Sequence, residues 1–99
     1  MDIQIPKGAG AKIRLEILID GFNMHDDNFA VILQQGGNKV TVPKSAFIED
    51  EQQNFYLCID TDYWKTGIVD AIVRADVPDF DFPTMIRKEI DKFRIIIME

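Results

Sequence analysis

The chain has 99 residues, 46% of them hydrophobic, and its eleven Lys and Arg against seventeen Asp and Glu leave a net charge of −6. That length suits one domain with a real core. The charge argues against a nucleic-acid surface, because phosphate backbones are held by clustered Lys and Arg, and no stretch approaches the ~20 apolar residues of a membrane span. The N-terminus also lacks the apolar run of a signal peptide, so synthesis in the cytoplasm is expected. Residues 3–5 predict a short edge strand, halted by Pro6 and by the Gly8-Ala9-Gly10 stretch that follows. The expected organisation is a flexible lead-in or edge strand over 1–11 and a single sandwich domain over 12–99.

Residues 12–19 set Ile13, Leu15, Ile17 and Ile19 on one side and Arg14, Glu16 and Leu18 on the other. Such alternation belongs to a strand with one dry and one wet face. Asp20-Gly21 signals a turn, and residues 22–28 form a polar loop around Met24. Two further strands, 29–34 and 38–42, flank Gln35-Gly36-Gly37, a hairpin signal. Pro43 ends that hairpin, since proline cannot donate in a central ladder. A connection over 44–53, anchored by Phe47 and Ile48, leads to a strand over 54–60.

Residues 61–67 link it to the alternating run 68–77, where Val69, Ala71, Val73, Ala75 and Val77 share a face. Pro78 and Pro83 bracket an acidic turn. The last segment is readable two ways. Ile86, Ile90, Phe93 and Ile97 have helical spacing, whereas 93–98 is a β-branched run. We expect a strand over 94–98, with 84–92 either strand or a short helix. About seven short strands point to an all-β, antiparallel immunoglobulin-like sandwich, with a small barrel as the rival.

The chemical inventory is thin: one His, one Cys and no nucleophile–base spacing. No catalytic residue, cofactor or metal is expected. Cys58 has no partner for an intrachain disulfide and reads as a small, partly buried filler. His25 beside Asp26 and Asp27 offers an imidazole next to carboxylates, the pattern of an oriented base or a metal ligand, although a solvated loop explains it as well. Asp76, Asp79 and Asp81 are weak calcium candidates, because hard cations want several oxygens; the plainer reading is a turn whose carboxylates cap backbone amides. Glu49, Asp50 and Glu51 read as a solvated loop. Asp62, Tyr63 and Trp64 are the interface or ligand candidates, since aromatic side chains in loops anchor protein partners or stack on sugars, while Trp64 also suits the end of a core. Gly67 is expected to supply a special backbone angle.

A family resemblance rests on Gly21-Phe22, Asp27-x-Phe29, Pro43-Lys44-Ser45, Asn54-Phe55-Tyr56-Leu57 and Thr66-Gly67. It continues through Val77-Pro78-Asp79-x-Asp81-Phe82-Pro83 to Arg87-x-Glu89. On these the chain resembles small proteins encoded by phages and integrated elements of gut Bacteroides-type bacteria. It is also similar to the immunoglobulin-like N-terminal domains of phage upper baseplate proteins. The resemblance implies a non-enzymatic structural module, incorporated into a virion and docked on a neighbouring protein or on copies of itself. A strand edge or the Tyr63-Trp64 loop would make the contact. The alternative is a carbohydrate-binding module that uses Tyr63 and Trp64.

Overall fold

A computed structural model of the chain describes residues 2–99; Met1, first in the expected lead-in, lies outside them. Eight strands run in the order β1 (Asp2–Pro6), β2 (Gly10–Leu15), β3 (Phe29–Gln35), β4 (Asn38–Pro43), β5 (Ile48–Glu49), β6 (Phe55–Asp60), β7 (Gly67–Pro78) and β8 (Ile86–Met98). They form a five-stranded sheet, β1-β8-β7-β3-β4, and a three-stranded sheet, β2-β6-β5. In the lettering of immunoglobulin sandwiches, β2, β6 and β5 occupy the places of B, E and D. Strands β8, β7, β3 and β4 occupy those of G, F, C and C′. Among the described residues no helix is long and apolar enough to cross a membrane.

Two expectations change, and the open choice over 84–92 falls to the strand. The sandwich is not wholly antiparallel: β1 pairs in parallel with β8, Ile3 beside Ile95 and Ile5 beside Ile97. Residues 84–92 contain no helix, and one strand runs unbroken from Ile86 to Met98. The strand expected over 12–19 leaves its ladder at Leu15, because β6, its partner, begins opposite at Phe55. Its alternation nevertheless continues: Ile17 and Ile19 are half-buried and Glu16 and Leu18 exposed.

The core is the space between the two inner faces. Val69, Ala71, Val73, Phe93, Ile95 and Ile97 come from the larger sheet, Ile13, Phe55, Leu57 and Ile59 from the smaller. Phe29 stands between them, 1% exposed. Its ring meets Phe47 and Phe55 edge-on, with centroids 5.1 and 5.2 Å away. Gly36, at φ +56°, makes the left-handed turn between β3 and β4 that a side chain would resist. Cys58, expected to be partly buried, is exposed, because it lies with Tyr56 and Asp60 on the solvent face of β6.

Asp50 does more than solvate its loop. Its carboxylate accepts from the Gln52 and Asn54 amides at 2.9 Å and from the Tyr56 hydroxyl at 3.1 Å. The Asn54 backbone hydrogen bond, foremost, holds its carboxyl below the ordinary value of 3.8. A depressed carboxyl stabilises the fold above its unfolded value, and that contribution is lost as pH falls through the lower folded value. Asp50→Ala should therefore be less stable than wild type at pH 6, and the difference should shrink as pH drops below 3.8. Urea unfolding at both pH values checks this; a difference that stays constant with pH would refute it.

Candidate functional site

The loop between β6 and β7 separates the expected aromatic pair. Trp64 is 4% exposed and belongs to the core, whereas Tyr63 is 79% exposed. Hydrogen bonds fasten the segment that carries the tryptophan. Thr61, wholly buried, accepts from the Gly8 amide and donates to the Ala9 carbonyl, both at 2.8 Å. Lys7 Nζ donates to the Thr61 and Trp64 carbonyls. The β1–β2 turn is thereby tied to the segment from Thr61 to Trp64. Asp62 remains exposed beside Tyr63, its amide donating to Asp60 Oδ1 at 3.0 Å. Stacking by the Tyr63-Trp64 pair is thus corrected: Tyr63 and Asp62 face solvent and Trp64 does not. Gly67, at φ +126°, adopts the backbone angle expected of it.

The acidic turn is a clamp. Arg87 Nη1 donates to Asp79 Oδ2 at 2.5 Å and Arg87 Nε to Glu89 Oε1 at 2.8 Å. Asp79 Oδ1 caps the Asp81 amide at 3.0 Å, while Asp76 Oδ2 accepts from Asn28 at 3.4 Å. Of the three aspartates named as weak calcium candidates, Asp79 pairs with Arg87 and Asp76 accepts from Asn28, while Asp81 meets Asp79 through its amide. Among the described residues no three His, Cys, Asp or Glu side chains gather as a metal would need. Beyond the clamp, the tip of the β7–β8 hairpin exposes Phe80, Phe82 and Met85.

His25 is exposed, and its Nδ1 lies 2.6 Å from Glu49 Oε2 rather than beside Asp26 or Asp27. Asp27 instead accepts from the Asn23 amide at 2.8 Å. Lys44 Nζ pins the loop by donating to the His25 and Asp27 carbonyls. A shallow hollow of about 480 Å³ nearby is lined by Lys44, Ser45, Phe47 and Glu49, among others. No hydrogen bond joins Ser45 to His25 among the described residues.

The feature that the sequence left unmarked is an uncovered side of the sandwich. In a seven-stranded immunoglobulin domain strand A lies beside B; here β1 has crossed to β8, and β2 is left at the end of its sheet. A groove of about 450 Å³ opens there, between residues 13–19 and the β7–β8 hairpin, with Val73, Ala75 and Phe93 in its lining and Glu89 and Asp91 alongside. The Ile17 amide finds only the Met24 sulfur, a weak acceptor, at 3.4 Å. Leu18 is 83% exposed.

Comparison with known proteins adds a fold and little more. No protein-family model and no curated protein matches the chain. Among solved structures, a candidate glycoside hydrolase from Bacteroides vulgatus ATCC 8482 is similar over 98% of this chain, with a TM-score of 0.53 and 12% sequence identity. The chain spans 17% of that protein's length. At that identity the likeness concerns the fold alone.

Proposed function

We propose that this chain is a non-enzymatic assembly module that docks on another polypeptide through an open sheet edge. The observation that carries the reading is the uncovered side beside β2, where a groove of mixed apolar and charged lining runs along a strand without an outer partner. The filled interior agrees with it: the inner faces meet directly, and the imidazole lies outside on a loop. A sandwich of similar shape that makes up 17% of a larger protein fits the same modular role. The resemblance to phage baseplate domains suggests virion proteins as the partner class.

The test is co-expression with the products of the neighbouring genes. A stoichiometric complex should co-purify, and no enzymatic turnover should accompany it. The absence of a complex with every such product, together with a chain that stays monomeric, would overturn the reading. A second reading, glycan binding, rests on Tyr63 and Asp62 standing in solvent. A glycan array probed with wild type and Tyr63→Ala decides it: binding lost in the variant supports a sugar platform, and silence in both removes it.

A further inference from the structure

Each edge of the two sheets has its own character. β1 ends at Pro6, β4 carries Lys39 and ends at Pro43, and β5 is two residues long. Proline, lysine and shortness are the usual devices that blunt an edge. β2 has none of these in effect. Its Lys12 lies over the Tyr56 ring at 4.6 Å, and Arg14 reaches Asn54 at 3.2 Å and Glu16 at 3.4 Å. Both cationic side chains have partners on their own chain, leaving the outer backbone of β2 uncovered.

The end of this edge and the two residues that follow it, Ile13-Arg14-Leu15-Glu16-Ile17, are self-complementary when read against themselves in reverse. Resting on the docking reading, we propose that the occupant of this edge is a second copy of the chain, its residues 13–17 paired antiparallel with those of the first about a twofold axis at Leu15. An isologous contact of this kind brings residue i to j and j to i. Leu15 then meets the partner's Leu15, and Ile13 meets the partner's Ile17 twice, all on the inner face above the groove. On the outer face Arg14 stands opposite the partner's Glu16, also twice, exchanging the two intrachain ion pairs, one in each copy, for two interchain ones. The register continues with Lys12 opposite the partner's Leu18, whose exposed side chain the lysine stem covers. Two three-stranded sheets become one sheet of six.

Charge reversal tests this in solution, because Arg14 and Glu16 are exposed, at 56% and 50% of their side chains, and can change without disturbing the core. Sedimentation velocity of the wild-type chain should give a concentration-dependent monomer–dimer equilibrium. Arg14→Glu and Glu16→Arg should each weaken the dimer about tenfold, since two opposite-charge cross-strand pairs become two like-charge pairs. An equimolar mixture of the two variant chains should associate as tightly as wild type, because every cross-strand pair is again opposite. An intrachain ion pair cannot produce that rescue. A wild-type chain that is monomeric at every concentration, single variants that dimerise like wild type, or a mixture that fails to associate would each overturn the inference. A monomeric chain that still co-purifies with a neighbouring gene product removes the twofold dimer and leaves the docking module standing.

Discussion

Phe29→Ala is expected to lower the free energy of unfolding by about 3–5 kcal/mol, the cost of emptying a buried aromatic site. Phe29 is a contact between the two sheets: Phe22, Phe47 and Phe55 all meet its ring edge-on. Those rings belong to three separate segments, so no local shift closes the cavity. Against a total of about 5–15 kcal/mol, such a loss leaves little reserve. Urea unfolding followed by the fluorescence of Trp64, the sole tryptophan, measures it directly. Phe22→Ala, at a half-buried ring, should cost less. Equal effects from the two would mean that the aromatic cluster is not centred on Phe29.

The second large effect separates neighbours in sequence. Trp64→Ala should cost about 3–5 kcal/mol, for the same reason of cavity and lost contact. Tyr63→Ala, one residue earlier and 79% exposed, should stay within about 0.5 kcal/mol. Trp64 also lies in the segment to which the β1–β2 turn is fastened, through its own carbonyl and the Thr61 hydroxyl. Its removal should therefore loosen β1 first. Far-ultraviolet circular dichroism in urea reads the stabilities, and amide exchange at residues 2–10 reads the loosening. A Tyr63 variant as unstable as the Trp64 variant would contradict the burial of the one and the exposure of the other.

Much of this architecture is legible in the alternation of apolar and polar residues. The period of two over 68–77 corresponds to β7, whose odd residues from Val69 to Val77 are buried without exception. Gly36-Gly37 marks its hairpin correctly, since the turn needs a left-handed angle there. What misleads is a strand that changes character along its length. Ile86 and Ile90 lie on the outer face of β8, Phe93 and Ile97 on the inner one. Four residues from two faces imitate one helical stripe, because the sandwich buries only the part of the strand from Phe93 onward. Before Phe93 the inner parity passes to Arg87, Glu89 and Asp91.

Contacts distant in sequence are illegible for a different reason. Nothing in residues 2–6 names β8 as their partner, and a hairpin with β2 would satisfy the same local pattern. Only the closed sandwich decides, and with that decision comes the open side of β2. The candidate site is therefore a result of topology rather than of any motif. The tie around Trp64 illustrates the same limit: Lys7 and Gly8, which hydrogen-bond to Trp64 and Thr61, lie more than fifty residues away in sequence. The Arg87 clamp likewise depends on a hairpin that folds Asp79 back to it.

The parallel union of the first and last strands has a mechanical consequence. Asp2 lies beside Arg94 and Pro6 beside Met98, so the strands share a direction and the two termini leave the ladder at opposite extremities. Tension pulling those termini apart would slide β1 along β8 and strain the rungs together, whereas an antiparallel terminal pair would unzip them singly. Covered on its inner side by Ile3 and Ile5 and braced at one corner by the Asp2–Arg94 fork, the junction is arranged to resist stretching.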